Sequence, residues 1–254
     1  MTDVGTWAWA ERTGGTLSRR DTMTLVRQAV LTQLATLPLP WRRSVAHDPA
    51  RWVMPDPPDS ALARATDEHV RDASAPGLYA HCVRTWLFAT VFAAYQDIAH
   101  DPELLYVTCM LHDLGLTPAH DQVDRRAHCF GVEGARAARA FLLAQGESDE
   151  RALPVAEAIS LHLNPKVGIE HGGEAVLVNR GALLDVMGGG IRDLPRSATS
   201  QIVREWPRTE LRTSLIDANT AQAAARPRSR AAFLNNLPGG AHLVAANPLD
   251  RSSA

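Results

Sequence analysis

The stretch LLYVTCMLHDLGLT, residues 104–117, decides how this sequence is interpreted. It is apolar along most of its length and then presents two adjacent polar residues, His112 and Asp113. The residues before it, DPE at 101–103, are typical of a helix N-terminus. Gly115 is expected to end the helix as a left-handed cap. The pattern therefore predicts a buried helix that carries an imidazole and a carboxylate at its C-terminal end.

The composition is that of a soluble globular protein. Of 254 residues, 45% are hydrophobic and 21% are charged, which is enough for a sizeable core. The net charge of -2 argues against nucleic-acid binding, and no apolar stretch is long enough to span a membrane. The N-terminus MTDVGTWAWAERTGG lacks the features of a secretory signal, and the three cysteines are expected to be reduced thiols. We therefore expect a cytoplasmic protein that binds neither nucleic acid nor membranes, and homo-oligomers are compatible with this sequence.

Helical patterns recur along the chain, whereas strand patterns are scarce. Apolar residues repeat at helical spacing at 21–37, and residues 78–95 are apolar on nearly all sides. Residues 42–76 are rich in Pro, Asp and Arg and predict an irregular, partly ordered crossover. Further helices are predicted for VEGARAARAFLLAQG, SDERALPVAEAISLH, GGEAVLVNRGALLDVMGGG, RSATSQIVREWP and TELRTSLIDANTAQAAA. The predicted fold class is all-α.

The chain divides into three parts by composition. We expect an N-terminal arm at 1–20, a single all-helical domain at 21–225, and a less regular C-terminal extension at 226–254. The extension is rich in Pro, Asn, Arg and Ser, which is typical of an extended or disordered tail.

Polar residues also stand at the ends of other apolar helices, or within them. His81 opens HCVRTWLFATVFAAY, His162 closes AISLH, and Asp185 lies inside GALLDVMGGG. A buried carboxylate without a partner is unstable, and one divalent metal would serve as partner to several such groups at once. The alternative is structural: the imidazole of His112 bonds a backbone carbonyl, while Asp113 caps a helix or pairs with an arginine. Helical bundles often build metal centres from facing side chains, which favours the metal.

The order of these residues resembles the H…HD…D pattern of the HD-domain metalloproteins. The runs HCVRTWLFA, CMLHDLGLT, FGVEGARAARAFL, AISLH and LLDVMGGG look like the cyanamide hydratase branch of that superfamily. The resemblance implies an all-helical bundle with one metal ion, usually zinc, bound by His81, His112, Asp113 and Asp185. Fe(II) and Mn(II) suit the same donor atoms. It also implies hydration of a small nitrile, such as cyanamide to urea.

The same resemblance makes Glu133 and His162 pocket residues that orient water and substrate, and the chemistry of a metal-bound water adds Asp113 as the third catalytic residue. A bound metal makes hydroxide available near neutral pH. Asp113 would accept a proton from the attacking water, besides binding the metal. Glu133 or His162 would protonate the nitrogen of the nitrile, a contribution of about 10²–10⁴-fold. The expected partner is therefore a small-molecule substrate.

This chain departs from the resembled pattern near its predicted pocket. Relatives often have a basic and an acidic residue around the phenylalanine of HCFGVEGA, where this chain has His128, Cys129 and Gly131. They also often have threonine where this chain has Leu163. These changes leave the metal residues in place and bear on the choice of substrate. An apolar cavity around Trp86, Phe88 and Leu163 would suit a small neutral molecule.

Two further functions are compatible with the sequence. One is a metal-dependent phosphohydrolase, which the resemblance implies because that activity is common elsewhere in the superfamily. The other is a non-catalytic protein that keeps the metal for structure or for ligand binding. Phosphate esters are modestly disfavoured because no Gly-rich loop or Lys/Arg cluster follows the HD dipeptide.

Overall fold

The computed structural model describes residues 3–36, 51–121, 129–211, 215–237, 244 and 246–253. Within these ranges the regular secondary structure is helical, without strands, so the predicted all-α class is confirmed. The helices are α1 (Trp7–Thr13), α2 (Arg19–Thr36), α3 (Ala61–Ala73), α4 (Pro76–Gln96), α5 (Pro102–Leu111), α6 (Pro118–Asp121), α7 (Phe130–Ala144), α8 (Asp149–Leu161), α9 (Gly173–Met187), α10 (Arg196–Glu205), α11 (Asp217–Ala225) and α12 (Arg230–Asn235). No helix in the described part of the chain is both long and apolar enough to cross a bilayer.

Helix α4 is the centre of the bundle. Its residues are apolar on nearly all sides and almost all of them are buried, as the sequence predicts. It packs along α9, where Gly181 lies against the backbone of Thr85 in α4. A Cβ at Gly181 would overlap the Thr85 carbonyl oxygen, so only glycine allows this close approach. One turn from this contact on each helix lie His81 and Asp185.

Helix α5 begins and ends near the predicted residues. The Asp101 side chain accepts hydrogen bonds from the first backbone N–H groups of the helix, and His112 is its C-cap. The prediction that Gly115 is a left-handed cap is wrong, because Gly115 lies in a 3₁₀ turn at Leu114–Leu116 without a positive φ. Glycine is needed there for a different reason: a Cβ would overlap the carbonyl oxygen of Phe130. The turn after His112 therefore packs directly against the start of α7.

The predicted irregular crossover at 42–76 is wrong for its second half. Residues 61–73 form α3, whose N-cap Ser60 accepts a hydrogen bond from the backbone N–H of Ala63. Leu62, Thr66 and Val70 recur every four residues and are buried, so packing stabilises the helix despite its many charged residues. The part at 42–50 lies outside the described residues.

Both terminal segments pack on the bundle. In the N-terminal arm, α1 buries Trp9 to 1% exposure. The expectation of an extended or disordered C-terminal extension fails at α12, which Ser229 caps with its side chain. Arg230 in this helix is completely buried. Its contacts hold the extension to the bundle.

Helix α2 buries less of its apolar surface than its sequence pattern predicts. Leu25 and Ala29 are buried, whereas Val26, Val30 and Leu34 are 45%, 50% and 54% exposed. The apolar stripe of α2 is thus wider than the surface it covers. Leu37, the predicted last residue of this helix, lies outside the described residues.

Candidate metal centre

The four polar residues predicted to bind a metal come from three helices and are buried. His81 lies near the start of α4, His112 and Asp113 follow the last turn of α5, and Asp185 lies near the end of α9. Their exposed fractions are 1%, 0%, 3% and 0%. Three of the four share one small volume, and the fourth lies behind it.

His81, His112 and Asp113 form a compact set of potential ligands. Their ligand atoms all lie within 4.8 Å of one another. The Nε2 atoms of the two imidazoles are 3.3 Å apart, and Oδ2 of Asp113 lies 3.4 Å from Nε2 of His81 and 3.3 Å from Nε2 of His112. A tetrahedral ion with bonds of about 2.0–2.1 Å has ligand atoms about 3.3–3.4 Å apart. The three separations therefore fit one ion without rearrangement.

The protons of the two imidazoles point away from this volume. Nδ1 of His112 donates to the Cys109 carbonyl at 2.6 Å, and Nδ1 of His81 donates to Oδ2 of Asp185 at 2.7 Å. In a neutral imidazole the other nitrogen then carries only a lone pair. With this tautomer, the Nε2 lone pairs of His81 and His112 face the carboxylate of Asp113, and the three groups repel one another. A cation bound between them would remove this repulsion. The donor atoms thus fit a divalent metal in chemistry as well as in spacing.

The pKa shifts of the cluster favour the forms that bind metals. Burial lowers the pKa of His112 to about 4, which keeps its imidazole neutral near pH 7. Burial by itself raises the pKa of Asp113, but the Coulombic attraction of the neighbouring imidazoles in their protonated form, His112 first, outweighs it and holds that pKa below its usual value. A neutral imidazole and an ionised carboxylate are the forms that metals need.

His162, predicted as a catalytic residue, lies at the other oxygen of Asp113. It is the C-cap of α8 and is 4% exposed. Its Nδ1 donates to the Ile159 carbonyl at 2.6 Å, and its Nε2 lies 3.5 Å from Oδ1 of Asp113. His162 therefore borders the three-residue set without belonging to it. From there it can exchange a proton with Asp113 or with a molecule beside it.

Asp185, predicted as the fourth metal ligand, contacts the far nitrogen of His81 instead of the shared volume. Its carboxylate also forms ion pairs with Arg84 and Arg208, at 2.9 Å and 2.6 Å. Arg84 follows His81 by one turn of α4, so both side chains reach the same carboxylate. Arg208 was not predicted, because it follows α10 in a segment without a helical or motif pattern.

Glu133, the remaining predicted catalytic residue, is buried in the first turn of α7. Its Oε1 lies 3.4 Å from Nη1 of Arg136, one turn further along the helix. Arg136 also pairs with Glu11 of the N-terminal arm. The structure thus gives Glu133 a structural partner and brings the start of its helix against the turn after His112.

The residues expected to shape a pocket do not line one cavity. Trp86 and Phe88 lie in the main core, and the Trp86 ring packs edge-on against Tyr106. Leu163 and Cys129 belong to a separate apolar cluster with the N-terminal arm. His128 lies outside the described residues. The expected cavity around Trp86, Phe88 and Leu163 is therefore corrected, because the first two rings fill the core between helices.

A family model described as HD domain matches residues 78–209, more than half of the chain. The matched segment contains all of the predicted metal and catalytic residues. No curated protein matches this sequence.

Proposed function

Because this chain belongs to the HD-domain family, whose members are generally metal-dependent hydrolases, we propose that it is a metal-dependent hydratase or hydrolase. The proposed metal ligands are His81, His112 and Asp113. The observation that carries the proposal is the convergence of two imidazole Nε2 atoms and a carboxylate oxygen at 3.3–3.4 Å. Three protein ligands leave a coordination position open, which is typical of catalytic rather than structural metal sites.

The donor set is compatible with more than one metal. Two histidines and one carboxylate with open positions are common to catalytic zinc sites and to non-haem Fe(II) sites. We propose zinc as the resident ion, with Fe(II) and Mn(II) as the alternatives. A bound ion of this kind supplies a Lewis acid that makes water nucleophilic near neutral pH.

Asp113 and His162 are the residues that we propose for orienting the attacking water and transferring its proton. Oδ2 of Asp113 faces the metal ligands, while its Oδ1 faces Nε2 of His162 at 3.5 Å. Asp113 therefore orients the attacking water, and His162 receives its proton and returns it to the product. The hydrogen bond from Nδ1 of His162 to the Ile159 carbonyl holds the ring in that orientation.

The substrate proposed for this site is a small neutral molecule with an electrophilic carbon, such as cyanamide or another small nitrile. All four side chains of the cluster and its border are at most 4% exposed, which favours a small substrate over a nucleotide. Two arginines lie near the cluster, Arg84 and Arg208, and both are committed to Asp185. They do not present free guanidinium groups to a phosphate.

The second candidate function is phosphohydrolysis. It is favoured by the family match itself, because a His-His-Asp cluster in an HD domain is compatible with metal-dependent phosphohydrolysis as well. An assay has to separate the two reactions, because the metal residues are common to both.

The experiment is a turnover assay on protein loaded separately with zinc, Fe(II) or Mn(II). We expect release of urea from cyanamide, or of carboxamide from small nitriles, and no release by the Asp113→Ala variant. Phosphate release from nucleotides or simple phosphate esters would instead establish the second candidate. Stoichiometric metal without turnover of either class would mean that the centre is not catalytic.

A further inference from the structure

The carboxylate of Asp185 receives four hydrogen bonds from charged or ring N–H donors. Its Oδ1 accepts from Nε of Arg84 at 2.9 Å and from Nη1 of Arg208 at 2.6 Å. Its Oδ2 accepts from Nη2 of Arg84 at 2.9 Å and from Nδ1 of His81 at 2.7 Å. An ionised carboxylate has about four lone-pair positions, so all of them are occupied. A metal ion could bind Asp185 only after one of these donors had moved away.

The charge of Asp185 is also balanced without a metal. Arg84 grips it with a two-pronged contact, the arrangement in which guanidinium and carboxylate groups bind best. Arg208 adds a second positive charge and pairs on its other side with Asp250 at 2.9 Å. Asp113 differs in this respect, since its carboxylate faces imidazole nitrogens and not guanidinium groups.

We propose that Asp185 is a positioning residue that holds His81 from outside the metal, and that the ion has three protein ligands. This proposal rests on the proposed function, because it assumes that His81, His112 and Asp113 bind a metal. By accepting the Nδ1 proton of His81, Asp185 keeps the Nε2 lone pair of that ring directed at the ion. Carboxylates in this outer position fix the ring orientation of metal-bound histidines and raise their basicity.

The segment that closes the bundle at its C-terminal side holds this outer carboxylate in place. The backbone oxygen of Asp185 accepts from Nδ2 of Asn247 at 3.0 Å and from Nη1 of Arg208. Arg84 in turn donates to the Pro207 carbonyl at 3.0 Å. Asn247 and Asp250 lie beyond the segment matched by the family model, so residues outside the matched domain support its metal centre.

The test compares three isosteric variants, Asp185→Asn, Asp113→Asn and the surface control Asp72→Asn, which lies exposed on α3. Metal content, zinc affinity and the absorption spectrum of the Co(II)-loaded protein are measured. We expect Asp185→Asn to keep one metal per chain and the wild-type Co(II) spectrum, with zinc affinity weakened about 10–100-fold. Asp113→Asn should lose the metal, and Asp72→Asn should match the wild type.

Loss of the metal from Asp185→Asn, or a Co(II) spectrum changed as much as that of a ligand variant, would overturn the proposal. A wild-type protein that binds no metal would overturn the proposed function instead, so the two failures are distinguishable. If Asp185→Asn does not fold, Arg208→Gln provides the test. It should bind zinc more weakly with an unchanged Co(II) spectrum, whereas tighter binding would show that the freed carboxylate oxygen is a ligand.

Discussion

Asp113 and Asp185 are both buried acids with a pKa held below the usual value, but their partners differ in kind. Burial raises the pKa of each, and it is outweighed at Asp113 by imidazoles and at Asp185 first by the Arg84 guanidinium. Imidazole nitrogens without protons can bind a shared metal cation. Guanidinium groups are themselves positively charged, so the carboxylate that they surround is neutralised without a metal. We therefore infer that Asp113 binds the metal ion and that Asp185 holds the ring of His81 in its orientation.

Glu133 is the residue for which contacts and predicted role differ most. The family resemblance implies that Glu133 transfers a proton, whereas the structure shows its contact with Arg136. On the implied role, we predict that Glu133→Gln keeps its metal and loses activity by about 10²–10⁴-fold, because an amide cannot transfer a proton. Steady-state rates and metal content check this, with Glu150→Gln as control, since Glu150 is an exposed residue in the first turn of α8. An unchanged rate would mean that Glu133 has no catalytic role and that its contact with Arg136 is structural.

His112 gives the metal-free protein a stability that depends on pH. Its pKa is lowered by burial to about 4, whereas the imidazole in the unfolded chain titrates near 6.5. As the pH falls through this window, the unfolded chain binds a proton that the folded chain excludes. We predict that the free energy of unfolding decreases by about 3 kcal/mol between these values.

Urea unfolding of the metal-free protein at several pH values across the window measures this decrease. The His112→Gln variant should lack most of it. Equal pH dependence in the variant and the wild type would mean that other groups cause the acid sensitivity.

The sequence was informative about His112 and Asp113 for a local reason. Two polar residues at the end of an apolar helix share one backbone segment, so their proximity follows from the chain itself. The contact of His81 with Asp185 joins α4 to α9, and the role of Arg208 depends on a segment without regular pattern. Such long-range contacts depend on how helices pack, which local periodicity does not specify.

Between elements, glycines set the distances on which the site depends. Gly181 brings α9 against α4 one turn from the contact between His81 and Asp185. We predict that Gly181→Ala destabilises the protein by about 1–3 kcal/mol, because the added methyl group forces the helices apart. It should also weaken metal binding, since the support of His81 is displaced.

Chemical denaturation and zinc titration measure both effects. Gly189→Ala is the matched control, because a Cβ at Gly189 would meet only ordinary contacts at 3.5 Å and its φ is not positive. Similar losses in the two variants would argue that the packing at Gly181 is not special.

Helices with strongly apolar sequences were predicted well, as α4 and α9 show, and α5 has in addition a standard N-cap at Asp101. Helix α3 was missed because Pro, Asp and Arg dominate its neighbourhood, while its stability comes from packing of a few spaced residues. Gly115 was wrongly predicted to be a helix cap. The contact that requires glycine there is with the Phe130 carbonyl of another helix, which the local sequence does not reveal.

In the molecule as a whole, the two terminal segments meet behind His162. The buried guanidinium of Arg230 donates to the Ser160 carbonyl and to Oδ1 of Asn164, and it lies 5.0 Å from the centre of the Trp9 ring. Asn164 also donates to the Val4 carbonyl at 2.7 Å. The N-terminal arm and the C-terminal extension thus join the same loop, although the composition of the extension predicted an extended or disordered tail.

We predict that Arg230→Ala lowers the free energy of unfolding by at least about 2 kcal/mol, because charged hydrogen bonds and packing are lost together. Thermal and chemical unfolding measure this loss, and Arg204→Ala, on the exposed face of α10, is the control. A loss no larger than that of the control would show that the terminal segments do not stabilise the bundle.

In the proposed metal centre, one ion joins α4 to the turn after α5. Anomalous diffraction from crystals of the metal-loaded protein, measured at the absorption edge of the metal, tests it directly. The predicted result is a single peak at about 2.0–2.2 Å from Nε2 of His81, Nε2 of His112 and Oδ2 of Asp113. A metal ion coordinated by Asp185, or a metal-loaded crystal without a peak among these three side chains, would show that this set of three ligands is wrong.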